Sequence, residues 1–429
     1  MPDPQKPLTV WRGAAVMVNI VLGAGVLTLP GLAYGAVGDA AVLVWLACGL
    51  LGAPLLAVLA LLGRRWPSAG GLATILSHGF GATGYAVATM LFLGAVLLGL
   101  PAIAMTGGHY AAAILGGPAP AYAIILLGAA TALNIMSSRV AARVNAWLAA
   151  SLVAALVALL VAGWAATGPT LTDAFPAAGT LPAIGAAGAA LMMVFFAFTG
   201  WEVAASLGGE FKSPHRDIPR AMAMSFAVVL ALYLGLALVV NAAAIDGGFE
   251  APFATILAQA FGDAGGWAIA GLAVALIFAN LLGAIWAASR MVFSAAGEGL
   301  LPSGLRGDAA GVPRRAVAVT GAALVAVVCA SGGGLVDLDT LLTLAGQNFL
   351  LLYAGACAVL VKVSPVPFER GLGLVCLALV AAIILLQSTA GLAYPAALAL
   401  TGALLAHFGT AGPTLALRPL ADGPAPTSE

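Results

Sequence analysis

Residues 191–220 read LMMVFFAFTGWEVAASLGGEFKSPHRDIPR. A long apolar run reaches a break at Thr199-Gly200-Trp201, takes on one carboxylate, Glu202, and leaves in a basic loop. No other acid lies so deep inside an apolar stretch. Non-helical backbone at membrane depth is tolerated only where it is buried in protein or lines a cavity. An ionisable group at that depth marks a pathway for an ion or substrate. The stretch therefore points to a route through a membrane, and the rest of the chain tests that expectation.

Composition agrees. The 429 residues are 62% hydrophobic and 7% charged, with a mean hydropathy of +1.10. Soluble domains carry about 25% charged residues, and a soluble fold of this make-up would expose large apolar patches. Net charge is zero, so nothing argues for a nucleic-acid partner. The four cysteines, Cys48, Cys329, Cys357 and Cys376, stand singly in apolar segments. With no paired spacing they support neither zinc nor a disulfide framework, and the four histidines show no metal spacing either. No cofactor is expected. The polar start, MPDPQKPLTVWRG, runs into a segment near spanning length without a cleavage site, unlike a removable signal peptide.

At about twenty apolar residues per crossing, twelve segments are expected: 13–36, 39–63, 84–114, 119–137, 144–166, 182–209, 221–244, 265–289, 315–332, 338–361, 371–389 and 392–410. With the N-terminus inside, all sixteen Lys and Arg fall in inside loops. The outside loops hold only acids, among them Asp39, Asp173, Asp246, Glu250 and Asp263. This bias sets orientation, and one crossing more or fewer would reverse every later basic residue. The expected division is a cytoplasmic segment 1–12, a core 13–361, helices eleven and twelve over 371–410, and a disordered cytoplasmic tail 411–429 rich in Pro, Ala and Asp.

The first crossing holds a break of its own, Val21-Leu22-Gly23-Ala24-Gly25-Val26, followed by Pro30. Glycine loosens a helix and proline removes a donor. An unwound turn here would offer free amides to an anion at a half-helix N-terminus; close packing through small residues explains the same pattern. The breaks in crossings one and six lie five crossings apart. Crossings one to five (13–166) and six to ten (182–361) then form two inverted repeats, because five is odd. Between crossings two and three, Pro67-Ser68-Ala69-Gly70-Gly71 leads into a segment too short to span.

Gly200-Trp201-Glu202 followed by Glu210-Phe211-Lys212-Ser213-Pro214-His215-Arg216-Asp217-Ile218-Pro219-Arg220 resembles the amino acid–polyamine–organocation (APC) superfamily. So do Gly23-Ala24-Gly25, the Pro67–Gly71 run, and Ser289-Arg290 with Gly297-Glu298-Gly299-Leu300-Leu301-Pro302. The resemblance covers most of the first nine crossings. Leu72-Ala73-Thr74, where many importers carry tyrosines, and Gly99-Leu100-Pro101-Ala102 look most like bacterial exporters of methionine and branched-chain amino acids. The resemblance implies an all-α, LeuT-type fold in a bacterial inner (plasma) membrane. It also implies amino acid transport, not an enzyme.

A free amino acid is a zwitterion, and unwound backbone meets both of its ends. Amides of Gly23, Ala24 and Gly25 would take the carboxylate, and carbonyls around Phe196 to Thr199 the ammonium. Val21, Leu22, Phe198 and Trp201 would face the side chain, with Gly200 at the second break. Each buried methylene contributes about 0.8 kcal/mol, which favours Leu or Met over Gly. Trp286 would wall the pocket or simply pack. Glu202 is either a buried acid bonding between helices or a proton site and gate; meeting water in only one transport state, it would bind and lose a proton in turn. Sodium is disfavoured because 281–289 offers few hydroxyls. Proton antiport of Met, Leu, Ile and Val by alternating access is the first expectation. Substrate exchange and proton-coupled import are the alternatives, and a channel or scaffold is the rival class. Partners are the amino acid, protons and the bilayer, and the sequence is compatible with a monomer or a homodimer.

Overall fold

The computed structural model describes residues 8–23, 25–66, 71–136, 138–176, 181–202, 211–306, 313–385 and 392–408, with backbone alone over 138–151. Ala24 and the expected tail, 411–429, lie outside the described residues. Regular structure among the described residues is helical apart from one isolated bridge, Leu8 to Phe211. The solvent explains this. In hydrocarbon each backbone polar group must be paired within the protein, and a helix does so inside one segment.

The helices are α1 (Val10–Val21), α2 (Gly25–Val37), α3 (Ala41–Arg65), α4 (Gly71–Leu115), α5 (Ala119–Met136) and α6 (Ser138–Thr167). After them come α7 (Ile184–Phe195) with a 3-10 turn (Phe196–Phe198), then α8 (Pro214–Ala243), α9 (Pro252–Gly297), α10 (Arg314–Gly332), α11 (Leu338–Val363), α12 (Pro367–Leu385) and α13 (Ala393–Phe408). Eight stretches among the described residues are long and apolar enough to cross a membrane. Four further apolar helices are shorter: α1, residues 152–167, Ile184–Phe198 and α13. The chain is an all-α polytopic membrane protein.

Two helices carry matching elbows. α4 bends at Gly81 (φ 62°, ψ −148°) and α9 at Gly262 (φ 65°, ψ −162°), a region of backbone space that is essentially glycine's alone. Ala73-Thr74-Ile75-Leu76 precedes one elbow and Ala254-Thr255-Ile256-Leu257 the other. Phe80-Gly81 and Gly84 then match Phe261-Gly262 and Gly265, all at one constant offset. A Cβ on Gly84 would strike the Leu76 carbonyl oxygen, and one on Gly265 the Leu257 carbonyl oxygen. In each copy the long helix starts back across its short leader, and only glycine leaves room. Beside the first elbow, Lys362 donates to the Gly79 carbonyl at 2.7 Å. The second follows the acidic loop holding Asp246 and Glu250. This residue-level repeat is finer than the count of segments and breaks, and it was legible in the sequence.

Around the breaks, α1 and α2 pack on α8, α2 on α7, and α4 on both α9 and α11. The upper half of the first crossing is firmly held. Thr28 donates to the Glu250 carbonyl at 2.8 Å, and Tyr110 of α4 donates to the Leu27 carbonyl at 2.8 Å. The lower half, α1, is capped by Thr9, whose hydroxyl accepts from the Arg12 amide at 3.4 Å. It is tied to the stretch after crossing six by the Lys212 amide, which donates to the Leu8 carbonyl at 3.3 Å, and by the Phe211 ring lying over Gly13. At the same basic end, Arg64 pairs with Glu369 at 3.2 Å, and Ser364 donates to Glu369 at 2.6 Å. α13 lies against α4, so close that a Cβ on Gly402 would stand 2.8 Å from Val87 backbone.

Candidate substrate site

Both sequence breaks are breaks in the structure. α1 ends at Val21 and Leu22 leaves the helical region (φ −68°, ψ 72°). The Gly23 amide closes a tight turn onto the Val21 carbonyl at 2.6 Å, and α2 restarts at Gly25. In the other half, α7 tightens into Phe196–Phe198, and Thr199 is extended (φ −93°, ψ 168°). Its amide (3.2 Å) and hydroxyl (2.8 Å) both donate to the Phe196 carbonyl. Gly200 has φ 108°, which side-chain-bearing residues rarely adopt, and helix resumes at Trp201.

The breaks meet. A Cβ on Gly200 would stand 3.3 Å from Val21 Cα. Tyr233 of α8 binds them together: its hydroxyl lies 2.8 Å from the Ala197 carbonyl and 3.3 Å from the Val21 carbonyl, sharing one proton between them. The Tyr233 ring is fully buried, edge-on to Trp45 (5.1 Å) and to Phe198 (5.3 Å). A hydroxyl at that depth with no acceptor would cost several kcal/mol, so the two broken backbones and the tyrosine satisfy one another.

Glu202 is 4% exposed. Its Oε2 accepts from the Gly200 amide at 2.9 Å and from the Tyr353 hydroxyl of α11 at 2.6 Å. The Tyr353 ring is in turn held edge-on by Phe195 at 6.0 Å. The tyrosine partner was not foreseen, because it lies 151 positions away.

A cavity of about 170 Å³ opens between the breaks. Its wall includes Val21, Gly23, Gly25, Phe196, Thr199, Gly200 and Glu202, all singled out from sequence. It also includes Gly99 and Leu100 of α4, Tyr233, Asn280 and Ala284 of α9, and Phe349 of α11. Gly99 belongs to the Gly99-Leu100-Pro101-Ala102 run noted in the sequence. Its lack of a side chain makes room for the Phe196 ring, which would lie 2.9 Å from a Cβ there.

Leu22, Phe198 and Trp201 do not line this cavity. Leu22 is fully buried in the core behind it. Phe198 packs among Trp45, Phe226 and Tyr233, and Trp201 against Phe226 at 6.0 Å. The helix turn at each break sends these side chains to the far side. Trp286 is 40% exposed, its ring covered by the Arg290 guanidinium at 3.8 Å, and it too lies off the cavity. No cluster that would hold a metal ion occurs among the described residues.

Two facing interruptions around a small, mainly apolar cavity, with one buried acid on its wall, are features of a solute carrier. The family model described as "Amino acid permease" matches residues 8–409, and the chain belongs to that family, within the APC superfamily. It is similar to the amino acid permease YecA of Bacillus subtilis, 30% identical over 84% of this chain and 86% of that one. It is also similar to the L-methionine/branched-chain amino acid exporter YjeH of Escherichia coli, 29% identical over 81% and 84%. The serine/threonine exchanger SteT of Bacillus subtilis is 26% identical over 70% of each chain. The protein is a membrane transporter of amino acids and not an enzyme.

Proposed function

We propose that the chain exports small neutral, hydrophobic amino acids (Met, Leu, Ile and Val) from a bacterial cytoplasm in exchange for protons. Transport proceeds by alternating access in a twelve-crossing, five-plus-five inverted-repeat fold of LeuT type, with crossings eleven and twelve outside the repeats. The observation that carries the reading is the cavity between the two breaks. A dry cavity of about 150 Å³ accommodates one benzene, so about 170 Å³ suits one compact apolar side chain with its backbone, and a long cationic side chain poorly. The paired elbows at Gly81 and Gly262 support the repeat. The likeness to an exporter named for methionine and branched-chain amino acids supports the substrate class and direction.

The division of labour follows from the backbone. The first-turn amides of α2 have no intrahelical acceptors and stand at the positive end of a helix dipole, where a carboxylate binds. The Gly23 amide is already turned onto Val21, so the helix start at Gly25 carries more of that task than the turn before it. The substrate ammonium belongs by the carbonyls of the second break, among them Phe196 and Ala197. Glu202 carries the proton, and its bond to Tyr353 makes protonation felt in α11. Substrate exchange without net proton movement is the second reading, favoured by the serine/threonine exchanger among the relatives.

The test is flux in proteoliposomes. Saturable movement of labelled Leu or Met, competed by Ile and Val and accelerated by an opposing pH gradient, is expected. Arg should compete at least tenfold less well. Unsaturable flux would point to a channel, and flux needing trans amino acid but indifferent to the gradient would point to exchange.

A further inference from the structure

Four polar side chains face the cavity, and three are already spoken for. Thr199 donates to the Phe196 carbonyl, Tyr233 is shared between Val21 and Ala197, and Glu202 accepts from Gly200 and Tyr353. The fourth is Asn280 of α9. It is half-buried and makes no hydrogen bond with any described residue. Other asparagines in the bundle behave differently. Asn134 donates to the Leu282 carbonyl at 3.1 Å, Asn241 to those of Asp39 and Asp173, and Asn348 to that of Leu344. Bonding to backbone is the usual employment of an amide between membrane helices. Asn280 is only partly covered, so its open amide faces the space of the cavity, where a ligand can complete it.

Its position indicates which part of the ligand. Asn280 Nδ2 would lie 3.7 Å from a Cβ on Gly23, so the amide looks across the cavity at the first break, beside the start of α2. The bond from Asn134 to Leu282 steadies the neighbouring turn of α9. Donors and the positive end of a helix gather on this side, whereas carbonyl acceptors gather at the second break. We propose that Asn280 is a specificity-determining residue that donates its side-chain amide to the carboxylate of the carried amino acid. It would complete from α9 a site that the helix start of α2 opens. This rests on the amino acid reading above, and it adds a requirement that broken backbone alone does not impose: a ligand must carry the carboxylate.

The full-length protein in detergent is titrated with L-leucine and with L-leucinol, whose carboxylate is replaced by a hydroxymethyl group. The readout is the concentration giving half-maximal thermal stabilisation. Wild type should prefer leucine by tenfold or more. Asn280→Ala should weaken leucine about tenfold or more, in keeping with a hydrogen bond to a charged group, and leave leucinol within about twofold. Asn280→Ser, which keeps a donor, should recover part of the loss and serves if the alanine variant does not fold. Equal weakening of both ligands, or of neither, overturns the proposal. If neither leucine nor methionine stabilises the wild type, it is the amino acid reading itself that falls.

Discussion

The Glu202 carboxylate holds the Gly200 amide and the Tyr353 hydroxyl on one oxygen, Oε2. The Gly200 bond stays within crossing six; the Tyr353 bond crosses to α11. Adding a proton to the carboxylate changes an acceptor into a group that also donates; the Gly200 amide can only donate, so of the two bonds the one to α11 is the one free to rearrange. Glu202→Gln keeps the shape and an acceptor but removes the proton site. Its expected outcome is leucine binding within about threefold of wild type and a flux that no longer varies with pH between roughly 5 and 8. Flux in liposomes across that range is the measurement, and a pH profile like that of wild type would remove Glu202 from coupling.

Glycine acts at the scale of the element in two different ways. Gly25 faces the cavity, and a Cβ there would be 3.2 Å from Leu29 Cδ1 and 3.7 Å from the Phe196 ring. A single carbon nearly fits, so Gly25→Leu should fold and fill the site, reducing leucine binding by at least tenfold with little change in unfolding temperature. Normal affinity in that variant would make the first break a packing feature only. Gly81 and Gly262 are the opposite case. A Cβ at either meets nothing within 4 Å, yet both have positive φ. Gly81→Ala and Gly262→Ala should therefore each cost about 1–3 kcal/mol through backbone strain alone, and by similar amounts, since the two elbows share their conformation. Denaturant unfolding in mixed micelles checks this; markedly unequal losses would show that the repeat is not energetically symmetric.

Across the whole molecule, the ties at one end are made by cations and those at the other by amide and hydroxyl side chains on backbone carbonyls. Arg64–Glu369, Lys362–Gly79 and Arg370–Ser364 belong to the basic end. At the acidic end, Asn241 joins the carbonyls of Asp39 and Asp173, and Thr28 reaches Glu250. On the proposed topology, the positive-inside bias puts the basic end in the cytoplasm. Single cysteines introduced at Arg65 and Arg370 should react with an impermeant maleimide only in inside-out vesicles, and one at Asp246 only in right-side-out vesicles. Labelling of both sets from one face would undo the twelve-crossing topology.

Composition and the positions of both helix breaks were legible in the sequence alone, because they depend on the solvent and on local backbone chemistry. An apolar run of spanning length has to be helix in lipid, and glycine with proline loosens it wherever it packs. The motif shared by 73–84 and 254–265 was equally available there. What needed the tertiary structure was the direction in which each side chain leaves a broken turn. Phe198 and Trp201 face away from the cavity that Phe196 and Thr199 line, although all belong to one short stretch. Tyr233, Asn280 and Tyr353 come to the breaks from other helices, and no local pattern marks them, since their partners are set by how the helices pack rather than by neighbours in the chain.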